Sequence, residues 1–189
     1  MPQARLSSVG NLFRRWAAPL IEATPKKRLS WLLLTTVFGA AIAGGACWFG
    51  ESYRIAWDRQ LLRCIGPRFL LIDLKDKTIE RDALYAYESR QAAPLIQNGV
   101  TVGKYLRGLP GDLVEVRRDN TIWVNGRKVA EGMPHLAGLT DEQTAKFYGS
   151  RCLKDDEYWV MGTKFISFDS RYWGPIHKDQ IIARAYALF

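Results

Sequence analysis

Leu113-Val114-Glu115-Val116-Arg117-Arg118-Asp119-Asn120-Thr121-Ile122-Trp123-Val124-Asn125-Gly126-Arg127-Lys128-Val129 decides the class of fold. Leu113–Val116 alternates with the period of two that a strand with one buried face requires. Thr121–Val124 and Arg127–Val129 are two short runs joined by Asn125-Gly126, a pair that accepts the positive φ angles of a tight hairpin turn. Further strands are expected upstream at Phe69–Ile72, before the charged turn Asp73–Lys77, and at Ala83–Tyr87 and Val100–Leu106. Downstream, Tyr158–Met161 and Ile181–Leu188 read as closing strands. Gly138–Tyr148 is the one helix expected in this region, and Ser52–Arg63 reads as a connector or helical continuation. There is no internal repeat and no low-complexity linker. The region is mainly β, built from many short strands.

Ahead of it lies Leu29–Gly50, an apolar run without a single charged side chain. Its 22 residues extend about 33 Å as a helix, enough for a hydrocarbon core of roughly 30 Å. A cleaved signal peptide would carry a shorter apolar core nearer the N-terminus, so a retained transmembrane helix is expected. The formal net charge of +8 is unevenly placed. Arg5, Arg14, Arg15, Lys26, Lys27 and Arg28 face only Glu22 in residues 1–28, whereas residues 51–189 are nearly balanced. Basic residues on one flank of an apolar span mark the cytoplasmic side and argue against nucleic acid as a partner. The expected order is a basic cytoplasmic tail (1–28), a transmembrane helix (29–50) and an outer domain (51–189). Within the tail, Leu12, Phe13, Trp16, Leu20 and Ile21 form a weakly amphipathic stretch.

The outer domain carries two histidines, His135 and His177, and no motif places either in a triad. Without clustered His, Cys or carboxylates, no metal or other cofactor is expected. A base other than histidine is therefore sought. Lys104-Tyr105-Leu106-Arg107-Gly108-Leu109-Pro110-Gly111-Asp112 sets a lysine on a strand that runs into a Pro-Gly turn. A lysine held rigidly against an apolar wall has lost hydration and is suited to general-base work.

Lys104–Asp112 closely resembles the lysine-bearing box of the signal peptidase I family, Lys-Arg-hydrophobic-x-Gly-x-Pro-Gly-Asp. Tyr158–Gly174, with Ser167-Phe168-Asp169-Ser170-Arg171-Tyr172-Trp173-Gly174 at its core, looks like that family's last box. The resemblance covers most of residues 60–189. It implies a signal peptidase I-like, β-rich catalytic domain on a single N-terminal transmembrane helix. The family's nucleophilic serine lies three residues before a proline, in Ser-Met-x-Pro-Thr; here the segment reads Cys64-Ile65-Gly66-Pro67-Arg68. By similarity Cys64 is the nucleophile and Lys104 the general base. Ser167 would orient the lysine, Asp169 and Arg171 would pair to brace the site, and the Cys64 N–H would serve the oxyanion hole.

Three departures from the family pattern matter. Leu62 stands where the family often has a serine donating to the oxyanion. Thr163 and Lys164 replace the Asp-Asn that usually follows Gly162. Ile-Gly-Pro-Arg replaces Met-x-Pro-Thr after the nucleophile. An ordinary thiol ionises near 8.5, about two units below lysine, so cysteine in place of serine is compatible with a thiolate–ammonium pair. A lost nucleophile and a disulfide between Cys64 and Cys152 are the alternatives. The short segment between the two boxes, the single anchor and the altered nucleophile box are more similar to the TraF-type peptidases of conjugative transfer. The resemblance thus implies a bacterial inner-membrane endopeptidase, its catalytic domain periplasmic, acting on a pilin or another signal-peptide-bearing precursor. Its partners would be the precursor, the lipid bilayer and proteins of a transfer apparatus. A non-catalytic homologue serving such an apparatus, and a housekeeping signal peptidase, are the competing readings.

Overall fold

In the computed structural model, residues 24–58, 64–93 and 96–188 are described. The basic tail up to residue 23, with its amphipathic stretch, and Leu62 lie outside them. The chain divides into two units between Gly50 and Glu51.

The first unit contributes helix α1 (Pro25–Ser52), which is long and apolar enough to cross a membrane. Leu29, Trp31, Leu33, Phe38 and Ile42 are all exposed along it. Thr35, one of two threonines in mid-run, turns its hydroxyl back to the Trp31 and Leu32 carbonyls, both at 3.0 Å. Those bonds satisfy the Thr35 hydroxyl within the helix itself.

The second unit is mainly β, as its alternation predicts. A seven-stranded antiparallel sheet runs in the order β1 (Tyr53–Trp57), β2 (Phe69–Asp73), β11 (Ile181–Ala187), β3 (Leu84–Glu88), β4 (Thr101–Gly108), β9 (Glu157–Met161), β10 (Ile176–His177). A four-stranded antiparallel sheet runs β7 (Arg127–Glu131), β6 (Thr121–Val124), β5 (Leu113–Val116), β8 (Gly149–Cys152). Asn125 and Gly126 take φ of 48° and 74°, the turn that their sequence demanded.

Three expectations are corrected. Tyr53–Trp57, read as connector or helix, is strand β1, paired in register from Tyr53↔Asp73 to Trp57↔Phe69. Gly138–Tyr148 forms only one α turn, α2 (Asp141–Thr144), followed by a tighter turn at Ala145–Phe147. The Thr140–Gln143 capping box starts it, and only Thr144 is buried, so no apolar face extends it. A second helical turn, α3 (Ser170–Trp173), lies inside the Asp-Ser-Arg run, capped by the Asp169 carboxylate.

The large sheet is buried on both faces where it matters. Leu84 and Ala86 pack with Leu70, Ile72, Ala183 and Ala185 on one side. Tyr85 and Tyr87 pack with Leu106, Val160 and Ile176 on the other. A third cluster joins Val114, Ile122 and Val124 of the small sheet to Trp159 and Met161 of β9. Strand β4, which carries Lys104, is thus held between β3 and β9 in the interior.

Candidate active site

Lys104 faces Tyr85 across the β3–β4 ladder and is 1% exposed. Its Nζ–H donates to the Ser167 hydroxyl at 2.8 Å. No carboxylate pairs with it among the described residues. The reason lies with Asp169, whose two oxygens are already engaged. Arg171 Nε donates to Oδ1 and Nη2 to Oδ2, both at 2.8 Å, and the Gly162 N–H donates to Oδ2 at 3.0 Å. Both side chains are sealed, at 1% and 0% exposure.

Arg171 also donates to the Gly132 carbonyl at 2.8 Å and the Ser167 carbonyl at 3.3 Å. The Asp169–Arg171 pair therefore ties the end of β9, through Asp169, to the Ser167 loop and the segment after β7, through Arg171. Burial alone would lower the Arg171 pKa; the hydrogen bonds and charge of Asp169 outweigh it and raise it, so the guanidinium stays charged. The Tyr87 hydroxyl is buried in the same region without a partner, and burial, with the charges of Asp169 and Cys64, pushes its pKa far up.

Cys64 is half-buried and lines a cavity of about 300 Å³ together with Lys104. Trp57, Ile65, Leu70 and Val102 make much of the remaining wall apolar. The backbone at Cys64 is pinned: its carbonyl accepts from the Thr163 N–H at 2.9 Å and the Lys164 N–H at 3.1 Å. Thr163 and Lys164, noted as departures in the sequence, act here through main-chain groups that any side chain would leave in place. Gly162 is the residue that sequence reasoning passed over. A Cβ there would lie 2.2 Å from Ser167 Oγ and 2.6 Å from the Cys64 carbonyl oxygen. Only the bare backbone lets the lysine's partner and the cysteine's carbonyl come together, and the glycine's place directly after a strand is the signal that marks it.

All three cysteines in the described residues are free thiols. Cys152 lies exposed on β8 of the other sheet, with Gly111 O at 3.5 Å from its sulfur. Neither histidine lines the cavity: His135 Nε2 meets the Ile166 carbonyl and His177 Nδ1 meets Asp156, both at 2.9 Å. At the other end of the lysine box, Gly111 takes φ of 83° in the turn closed by Asp112 N–H to Leu109 O at 3.0 Å.

The chain matches the family model for signal peptidase, peptidase S26, over residues 74–189. That segment contains Lys104, Ser167, Asp169 and Arg171 and begins after Cys64. Among characterised proteins the chain is similar to a probable signal peptidase I-2 of Synechocystis, 36% identical over 87 residues. It is also similar to signal peptidase I V of Bacillus subtilis, 29% identical over 115 residues. These alignments cover 46% and 56% of this chain, but only 37% and 64% of the relatives' own lengths. The crystal structure of a signal peptidase I from Enterococcus faecalis is 25% identical and matches 58% of this chain and 98% of that one, with a TM-score of 0.37. The chain belongs to the signal peptidase S26 family.

Proposed function

Taking that membership as premise, we propose that this protein is a membrane-anchored endopeptidase that cuts signal-peptide-bearing precursors with Cys64 as nucleophile and Lys104 as base. The observation that carries the reading is the shared cavity: Cys64 and the buried, carboxylate-free Lys104 line one apolar chamber. The thiol proton passes to Lys104 as Cys64 Sγ attacks the scissile carbonyl. The Cys64 N–H faces the oxyanion that develops. When the intermediate collapses, the Lys104 ammonium returns the proton to the leaving amine, leaving a thioester on Cys64. Lys104 then takes a proton from water as the water attacks the thioester, and passes it to the departing Cys64 sulfur, which restores the thiol and the free amine. Ser167 holds the amine in line, and the Asp169–Arg171 pair fixes the loop that carries Ser167. The basic flank of α1 supports a cytoplasmic N-terminus and an outer-face, periplasmic domain in the inner membrane.

The substrate is proposed to be a pilin precursor of conjugative transfer, a reading supported by the altered nucleophile box and the short segment between the two motif boxes. The test is cleavage of a pilin precursor and of a general signal-peptide reporter by purified full-length enzyme and its Cys64→Ala and Cys64→Ser forms. Loss of cleavage in Cys64→Ala, with partial retention in Cys64→Ser, is expected. Normal processing by Cys64→Ala would sink the dyad, and equal processing of both substrates would favour the housekeeping role. Failure of the intact enzyme to cut either would favour the non-catalytic reading.

A further inference from the structure

A second cavity, of about 450 Å³, opens between the small sheet and α3, and the dyad does not use it. Val114, Lys146, Phe147, Arg151, Trp159 and Trp173 contribute to its wall. Trp159 is 3% exposed, and the indole N–H groups of both Trp159 and Trp173 are buried with no acceptor. Strand β8 ends the small sheet, so its outer edge is unpaired among the described residues, and its Gly149 and Ser150 line the same cavity. An open edge is a template for an added strand. The charges at the rim are also specific. Arg151 is already neutralised by Glu157 through two 2.9 Å bonds. Lys146 rests over the Phe147 ring and has no carboxylate partner among the described residues.

We propose that this cavity is an exosite for the mature part of the precursor, which adds to β8 as an extended strand, packs along the Trp159 and Trp173 wall and sets an acidic side chain on Lys146. The assignment to the precursor rests on the proposed proteolytic function and on the shared wall: α3 lines the cavity and carries Arg171 of the brace.

The test uses ¹⁵N-indole spectra of the full chain in detergent, assigned with Trp159→Phe and Trp173→Phe, titrated with Ac-Thr-Val-Glu-Val-Thr-amide. The indole resonance of Trp159 or Trp173 should move. Affinity should fall about fivefold for the Lys-containing counterpart peptide or in Lys146→Glu, as expected for loss or reversal of one exposed ion pair. Should Trp159→Phe fail to fold, Trp173→Phe and Lys146→Glu suffice. Resonances unmoved at millimolar peptide, equal response to the Lys peptide, or response to phosphatidylglycerol vesicles instead would overturn the site. In parallel, the Glu peptide should raise KM for the pilin precursor in the wild type and not in Lys146→Glu. Binding without that effect overturns the assignment to the precursor and leaves the Cys64 reading, which Cys64→Ala tests separately, untouched.

Discussion

The two ends of Lys104–Asp112 hold buried polar side chains in opposite ways. Asp112 is saturated. Arg81 reaches its two oxygens at 2.5 and 2.9 Å, the Leu109 N–H donates at 2.6 Å and the Asn125 amide at 2.7 Å. It ties the Pro-Gly turn to the hairpin of the small sheet and has no capacity left for chemistry. Lys104 has a single neutral hydroxyl partner and opens onto a cavity. A polar group with every bond answered builds architecture; one with a single neutral partner on a cavity wall keeps bonding capacity for chemistry.

Replacing each member should bring out this contrast. The largest effect belongs to Lys104→Met. Cleavage should fall about 10⁴-fold, as for loss of a member of a nucleophile–base unit, while thermal unfolding stays unchanged or rises because a buried amine has been removed. A Tm drop that accounts for the lost activity would mean that Lys104 is structural. Next comes Arg171→Met, which leaves the Asp169 carboxylate buried and alone; about 3–5 kcal/mol of stability should be lost in urea unfolding. A cost below 1 kcal/mol would show that the brace is not rigid.

Asp112→Asn should cost less, about 1–3 kcal/mol, because the amide keeps part of the network. Burial alone would raise the Asp112 pKa; the bonds from Arg81, Leu109 and Asn125 outweigh it and hold the carboxyl below its ordinary value. A depressed folded pKa contributes stability above the unfolded value of about 3.9 and loses it as pH falls through the folded one. The gap between wild type and Asp112→Asn should therefore be constant above about pH 5 and shrink below about pH 4. A gap independent of pH would remove Asp112 from its role. Arg90→Ala should do least, leaving the urea unfolding midpoint indistinguishable from that of the wild type. Its pairs with Glu88 and Asp179 leave 42% and 66% of the partner side chains exposed. A larger loss would place architecture where only solvent-screened charge is expected.

Legibility tracked how local each signal was. Leu113–Val116 and the Asn125-Gly126 hairpin were readable because alternation and turn chemistry act within a few residues. β8 was missed: Gly149-Ser150-Arg151-Cys152 is exposed throughout and has no apolar alternation, and only its register with Leu113–Val116 makes it a strand. β1 was missed because it directly continues the chain from a long helix and owes its extended form to β2. At the site, Lys104, Ser167, Asp169 and Arg171 stood out as motif residues. Gly162 did not, since its requirement is empty space set by two residues distant in sequence.

By itself the sequence determined the apolar span with its basic flank, the β-rich class, and the family through its two motif boxes. These depend on composition, periodicity and contiguous pattern. Tertiary structure supplied the geometry: Lys104 meets a hydroxyl at 2.8 Å because Asp169 is taken by Arg171 and Gly162. It alone pinned the Cys64 carbonyl through the Thr163 and Lys164 amides, beside the lysine's cavity, and set Cys152 on the other sheet. Those facts depend on through-space distances between strands that chain order does not encode.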